Sequence, residues 1–497
     1  MGELTAMQRR VLASRRLLAI IEDCLGRNQG HGERLLKVAG MAGKASWSCH
    51  AGTFALPLVE RALREAPHLV GRAACAGEAA RVRGRTLHVL TEAYPLGGHT
   101  RLVKRWIECM DGEAHAVTLV RQRHPADPSW LMPAGRDVPL VDLGRFHRGP
   151  DKVACLMALF DAAARVVLHV HPDDACSVAA AYRSPAADIR FLNHADHVAW
   201  LGAGLPVPLL NLRQRGTRLA ADRRGIDEAN CDVVPIPIAP PPRLDRREAR
   251  RQLGLGDDEI LMLTVASAAK YLPVEGWSLL PILRRILARP ELRLVAIGPG
   301  AGHPVFGPLL QDHPGRAQAL GVIQDPIAYR AAADLYLDSY PLGSLTSMLE
   351  SAALGTPIAA FQPDLEELGI LYTEPPGLAW SDYAARETEP FLALVDALVE
   401  DPALRQRRAE GLRSGIAGHF PDGWRQRLAA HLARPILPRP WKPERVPVLD
   451  GPLDRILAAV GADPCRQDRL LRRRNGMDFQ GRLRYRWERL MERIGRT

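Results

Sequence analysis

The chain has 497 residues, 47% of them hydrophobic and 25% charged, with a formal net charge of +10 at pH 7. This is the composition of a globular protein with two or three cores, which excludes fibrous and disordered classes. The positive balance favours anionic partners such as nucleotide phosphates, lipid headgroups or nucleic acid, and is equally what solvated arginine-rich faces give. The eight cysteines are scattered without a CxxC pair, which argues against a zinc site or a disulfide framework and for a reducing compartment. Arg9, Arg10, Arg15 and Arg16 interrupt the apolar N-terminus, against a secretory leader. No uncharged apolar run approaches the roughly 20 residues that span a bilayer.

Residues 1–80 are expected to form a helical extension, with Leu12, Leu17, Leu18, Ile20 and Ile21 set among arginines and a second amphipathic stretch from Phe54 to Leu69. A strand–helix alternation begins at Arg85. Thr86–Thr91 reads as a strand, Tyr94–His99 as a loop and Thr100–Met110 as a helix. His115–Val120, Arg165–Val170 and Ile189–Asn193 read as later strands. The run Val233–Pro242 holds too many prolines for a helix and reads as an extended joint. A second alternation follows, with strands at Ile260–Ala266, Arg293–Ile297, Leu335–Leu337 and Ile358–Phe361. Parallel βαβ units explain both halves. The expected domains are therefore 81–238 and 239–435, followed by a basic helical tail at 436–497. Glu389–Ala433 reads as helical with a break at Phe420-Pro421-Asp422. In the tail, Leu483, Trp487, Leu490 and Ile494 share one helical face, suited to an anionic membrane surface or to packing back on the protein.

The densest chemistry lies between Asp334 and Ala360. A strand ends in Asp338, and the loop Pro341-Leu-Gly343-Ser344-Leu-Thr346-Ser347 opens a helix carrying Glu350. Gly, Ser and Thr before a helix offer backbone N–H groups, hydroxyls and a positive dipole end to an anion, although an ordinary capped helix start has the same residues. Lys270 stands just beyond the carboxyl end of the first strand of the second half, where parallel sheets bind ligands. Gly298 closes another strand in Gly-Pro-Gly. In the first half Gly97, Gly98 and His99 lie between a strand and a helix. Histidines gather after later strands: His169 and His171 with Asp173 and Asp174, then His194 and His197 with Asp196. An imidazole there can act as a base. The rival, a metal held by His194, His197 and Asp173, lacks a fourth ligand, so neither metal nor cofactor is expected.

Over residues 85 to 435 the pattern resembles the GT-B glycosyltransferases of the family 4-like and protein O-GlcNAc transferase-like kinds. That resemblance implies an α/β protein with two Rossmann-like parallel-sheet domains facing a cleft. It implies a metal-independent, hexosyltransferase-type transfer from a nucleotide-diphosphate sugar of UDP or GDP to a glycan, lipid-linked or protein acceptor. Lys270, Gly343, Ser344, Thr346 and Ser347 would then hold the diphosphate and Glu350 the ribose. Gly298 would lie by the nucleobase, and Gly97 and Gly98 would face the donor. His99, His171, His194 or His197 would meet the acceptor. The first of the two glutamates that retaining members carry eight positions apart is replaced by Leu342, which leaves the stereochemistry open. The implied location is cytoplasmic, at or near the inner face of the membrane. The alternatives are a nucleotide-sugar epimerase of the same fold, for which no cluster of carboxylates stands out, and a non-catalytic anion-binding module using the basic tail. The core has no basic–aromatic stripe, which argues against nucleic acid.

Overall fold

The computed structural model describes residues 6–95, 98–123, 127–241, 244–256, 259–274, 277–363, 371–435, 441–443, 452–461 and 477–493. The chain divides into two compact units, Met1–Val234 with Leu428–Thr497, and Pro235–Arg427.

The first unit is built on a parallel sheet. Its strands are β1 (Thr86–Leu90), β2 (His115–Leu119), β3 (Leu140–Asp142), β4 (Arg165–His169), β5 (Ile189–Asn193), β6 (Leu209–Asn211) and β7 (Cys231–Val233), in the order β3-β2-β1-β4-β5-β6-β7. Strands β1, β2 and β5 are buried along their whole length, as an interior parallel sheet requires. The direction of winding reverses between β1 and β4, which opens a crevice at their carboxyl ends.

Four helices precede the sheet: α1 (Ala6–Arg27), α2 (Gly32–Ser48), α3 (Pro57–Glu65) and α4 (Ala76–Val82). They belong to the same hydrophobic core as the sheet, through Leu35, Leu36, Val59 and Leu63. The crossover helices are α5 (Gly98–Cys109), α6 (Gly149–Ala162), α7 (Ala175–Arg183) and α8 (Gln214–Arg224). The stretch Phe54–Leu69 is shorter as a helix than its pattern suggests. Pro57 starts α3, and Pro67 turns the chain into a short 3-10 segment. The expectation of no disulfide is corrected at one pair. Cys75, just before α4, is bonded to Cys155 of α6 with their Cα atoms 5.4 Å apart, both buried where the two helices meet.

The second unit repeats the plan with β8 (Ile260–Val265), β9 (Leu292–Ile297), β10 (Ala317–Ala319), β11 (Leu335–Leu337), β12 (Ile358–Phe361) and β13 (Ala384–Ala385), in the parallel order β10-β9-β8-β11-β12-β13. Here the reversal falls between β8 and β11. Its helices are α9 (Arg246–Gln252), α10 (Leu280–Ile286), α11 (Phe306–Asp312), α12 (Ile327–Ala332), α13 (Leu345–Ala353), α14 (Thr388–Glu400), α15 (Pro402–Gly415) and α16 (Pro421–Leu432), the last running on into the first unit. The expected single break in the last helical stretch is two breaks. Asp401 caps α15 through Leu404 N and Pro402 takes its first position, so a helix ends there as well as at Phe420.

The tail returns to the first unit as α17 (Pro452–Val460) and α18 (Phe479–Arg493). Asp454 accepts bonds from His50 at 2.7 Å and Arg223 at 3.0 Å, and Asp478 is paired with Arg27 at 2.9 Å. Tyr485 is the buried contact of α18, while Leu483 and Trp487 are 47% and 61% exposed. The face expected to be apolar thus points outward where it is described; Leu490 lies among residues whose side chains, and Ile494 among those whose structure, are outside the described set. No helix among the described residues is long and apolar enough to cross a membrane.

Candidate active site

In the second unit, Lys270 and the Gly343 loop come together from strands at the reversal point. β8 runs into a 3-10 turn, Ala268–Tyr271, anchored by the Thr264 and Tyr271 hydroxyls 2.8 Å apart. The turn brings Lys270 Nζ within 2.6 Å of the Gly343 carbonyl oxygen, and Leu342 N donates to the Lys270 carbonyl at 3.3 Å. The loop itself is organised by Asp338 at the end of β11. This buried carboxylate accepts from Ser339 N and Ser344 N at 2.9 Å each and from Thr373 Oγ1 at 2.8 Å. Burial raises its pKa, and those three bonds and the Lys270 charge oppose the rise.

Gly343 is needed for packing. A Cβ there would meet the Thr373 backbone N at 2.6 Å and Asp338 Oδ2 at 3.0 Å. Helix α13 follows Ser344, whose side chain makes no capping bond, and the first turn of a helix leaves its amides without an intrahelical partner. Thr346 and Ser347 lie in that first turn, half-buried.

Glu350 sits one turn further on and is held by Arg330, whose Nη2 is 3.0 Å from Glu350 Oε2. Arg330 is buried, and its Nη1 also donates to the Ser347 carbonyl at 2.7 Å and to Ser351 Oγ at 2.8 Å. Gly298 has a backbone reason of its own: at φ +112° a side chain would run into the Ala266 carbonyl at 1.8 Å. The sequence reading missed Asp338, Thr373 and Arg330 as site-shaping residues. The signal for Asp338 was available, since a carboxylate closing a fully buried strand has to be satisfied by something local.

In the first unit, histidines form a connected group. His115 Nδ1 lies 3.2 Å from His88 Nε2, His88 Nδ1 lies 3.1 Å from His169 Nε2, and His169 Nδ1 lies 3.2 Å from His194 Nε2. The register explains the line. His115 is level with Thr86, His88 stands two residues further along β1, and His169 is level with Leu90, two further again. Continuing the Leu168–Phe191 pairing puts His169 level with Leu192, and His194 follows two residues later. One strand across and two residues up keeps each ring on the same face of the sheet. Trp106 of α5 covers the line edge-on, 5.4 Å from His88 and 5.6 Å from His169.

At the carboxyl end of this line, His99 and His171 join His194. The rings of His99 and His194 are 4.2 Å apart, and those of His99 and His171 are 5.4 Å apart. His99 Nε2 donates to the His169 carbonyl at 2.7 Å, while its Nδ1 is buried without a hydrogen-bond partner among the described residues. Burial, with neighbouring His171, pushes His99 down to about 4. Burial likewise holds His88, His169 and His194 well below the ordinary imidazole value. His171 is also lowered by burial, and its backbone N donates to Thr91 Oγ1 at 2.8 Å.

His197 stands apart from this ring group, partly exposed and 3.5 Å from Asp196. Asp196 is ruled out as a base near neutral pH. Arg213 clamps both its oxygens, at 2.6 and 2.9 Å, and this charge overcomes a burial that by itself would raise the carboxyl, leaving it far below the usual carboxylate range. Asp173 is tied to Arg121 at 3.0 Å. It lines a pocket of about 420 Å³ with Lys37, Lys44, Arg121, Lys152 and Asp174. Gly98 is exposed at the start of α5, and Gly97 lies outside the described residues. No group of three or more His, Cys, Asp or Glu among the described residues is placed to hold a metal ion. His88 and His115 were not singled out from the sequence. A histidine inside a buried strand run was the available sign.

No family model matches the chain, and no curated protein matches its sequence. Solved structures match its fold. A glycosyltransferase from Rickettsia africae ESF-5 superposes with a TM-score of 0.52 at 12% identity, over 70% of this chain and 97% of that one. HepE of Anabaena in complex with UDP superposes with a TM-score of 0.53 at 14% identity, over 70% and 99%. The same protein with UDP and glucose gives 0.51. With two all-parallel Rossmann-like sheets, the fold is GT-B.

Proposed function

We propose that a chain with this fold is a glycosyltransferase drawing its sugar from a nucleotide-diphosphate donor. One observation carries the reading: Lys270 docks on the Gly343 carbonyl beside the uncapped start of α13, at the point where the second sheet reverses. A departing diphosphate gathers negative charge as its bond to the sugar breaks. An ammonium and a row of helix amides fixed in advance stabilise that charge without reorganising. This is the basis for proposing metal-independent departure of the diphosphate; a hexose is proposed as the sugar from the HepE complex with UDP and glucose. Glu350, oriented by Arg330, is assigned to the ribose, and Thr346 and Ser347 to the phosphates. The HepE complexes with UDP support a uridine nucleotide as the first donor to test, ahead of GDP.

On the acceptor side, the neutral imidazoles of His99 and His194 are the groups suited to take a hydroxyl proton, with His171 beside them. The acceptor, whether glycan, lipid-linked or protein, is not distinguished by these residues. The 420 Å³ pocket sets Lys37, Lys44, Arg121, Arg123 and Lys152 against Glu33, Asp173 and Asp174, a positive balance that supports one bearing negative charge. Exposed Leu483 and Trp487 among Arg482, Arg484 and Arg486 support placement against an anionic membrane surface on the cytoplasmic side.

The test is calorimetric titration with UDP, GDP and their sugars, followed by release of UDP from UDP-glucose. Binding of one nucleotide that is weakened by about 1.5–3 kcal/mol in Lys270→Ala and kept in His194→Ala is expected. A folded protein that binds no nucleoside diphosphate refutes the reading.

A further inference from the structure

The histidine line in the first unit has one polarity open to it. His115 Nε2 lies 3.0 Å from the Met110 carbonyl oxygen, which can only accept, so this nitrogen carries the proton. Burial lowers His115 below the ordinary imidazole range, and a neutral ring has a single N–H. Its Nδ1 is therefore an acceptor, and His88 donates to it through Nε2. His88 Nδ1 then accepts from His169 Nε2, and His169 Nδ1 accepts from His194 Nε2. Reversing the line would set a lone pair against the Met110 carbonyl. Charging one ring would place a cation among buried groups with no anion in the line.

We infer that His115, His88 and His169 are positioning residues that fix His194 as its Nε2–H tautomer, so that its Nδ1 is presented to a hydroxyl-bearing ligand as a hydrogen-bond acceptor. A second acceptor stands beside it. His99 spends its proton on the His169 carbonyl, which leaves the buried His99 Nδ1 as a lone pair with no donor among the described residues. Two neutral imidazoles 4.2 Å apart, each with an unprotonated nitrogen, are matched by a ligand that brings donors, as a sugar or serine hydroxyl does. A carboxylate offers no such proton.

This deepens the glycosyltransferase reading and rests on it for the chemical step. The hydroxyl oxygen forms its bond to the anomeric carbon. The bond from that carbon to the diphosphate breaks, with its electron pair leaving on the diphosphate. The hydroxyl proton passes to His194 Nδ1. The Nε2–H of the resulting imidazolium keeps its bond to His169, now charge-assisted.

Nitrogen NMR of the full chain labelled with 15N-histidine reads the tautomers directly. At pH 7.5 we expect His88, His115, His169 and His194 each to show a protonated Nε2 and an unprotonated Nδ1. A protonated Nδ1, or a tautomer mixture, at His194 overturns the inference without any variant. Two variants test control by the far end. H115Q keeps an amide N–H for Met110 and an oxygen for His88, so the His194 tautomer should hold. H115F removes both, so His194 should become mixed, with UDP release from UDP-glucose slowed by about tenfold and restored in H115Q. A single Nε2–H tautomer at His194 in folded H115F also overturns it. If the tautomers are as expected but no nucleoside diphosphate binds, the glycosyltransferase reading fails while the fixed polarity stands.

Discussion

Lowering the pH from 7 to 5 should loosen the first unit well before the second. Burial holds His99 at about 4 against 6.5 in the unfolded chain, so over that interval the unfolded state binds a proton that the folded state refuses. The stabilisation is whole above the unfolded value and is lost as the pH falls toward the folded one. Between pH 7 and pH 5 this ring alone loses about 2 kcal/mol. His88, His169 and His194 are held down in the same sense, and the unfolded value caps each at about 2 kcal/mol over the same range. Two carboxyls oppose them. Burial raises Glu60 to about 6 and Glu22 to about 7, so the folded state takes up protons there and regains about 3 kcal/mol in total. His50, His115, His171 and His431 of this unit are lowered in the same sense, so the balance is a loss of stability. The second unit has two lowered histidines, His313 and His419, against eight in the first, and its raised Asp338 opposes them. Hydrogen–deuterium exchange at pH 7 and pH 5, corrected for intrinsic rates, reads each sheet separately. Amides of β1, β2, β4 and β5 should lose protection selectively. Equal or greater protection of those strands at pH 5 would refute the burial argument.

Other outcomes follow from the second unit and the tail. Lys270→Ala should weaken UDP binding by about 1.5–3 kcal/mol, as loss of a charged hydrogen-bond donor does, measured by calorimetry; unchanged affinity counts against the diphosphate role. Gly343→Ala should cost about 1–3 kcal/mol, because its methyl meets the Thr373 backbone, and a lowered Tm should accompany weakened nucleotide binding. Glu350→Ala should lower both stability and nucleotide affinity by about 1–3 kcal/mol each, since it strips the buried Arg330 of its carboxylate. An affinity loss without a stability loss would show that the ion pair is not structural. Trp487→Ser should leave the fold intact, judged by circular dichroism, and reduce salt-sensitive flotation with phosphatidylserine vesicles.

Much of this was legible because parallel sheets advertise themselves. Fully buried strands such as Val166–Leu168 and Leu261–Leu263 are uninterrupted apolar runs, and the loops after them collect Gly, Ser, His and Lys. The short strands β3, β6, β7, β10 and β13 were not anticipated. Two or three residues, as at Leu140–Asp142 and Leu209–Asn211, leave no periodicity to read. Lys270 and Gly343 were named separately from their places after strands, and their contact is a product of topology. The histidine line was half visible. His169 and His194 stood out after strands, whereas His88 and His115 became part of it only through register, which a single sequence does not state. The pairing of Cys75 with Cys155 was hidden for the same reason, since 80 residues separate them.

The chain leaves the first unit at Val234 and comes back to it at Leu428, which sets an order on its birth. Asp232 waits for His431 and Arg434, Arg224 for Trp441, His50 for Asp454 and Arg27 for Asp478. A ribosome moving at about 5–20 residues per second needs roughly 10–40 s to make the intervening segment. Throughout that time the N-terminal helices are exposed to the cell with their closing partners not yet synthesised, while the second unit, uninterrupted in sequence, is free to fold as it emerges. The half that carries the histidine line is therefore begun first and finished last, and a nascent chain stalled once Arg427 has cleared the ribosome would hold one folded domain and one still open to chaperones.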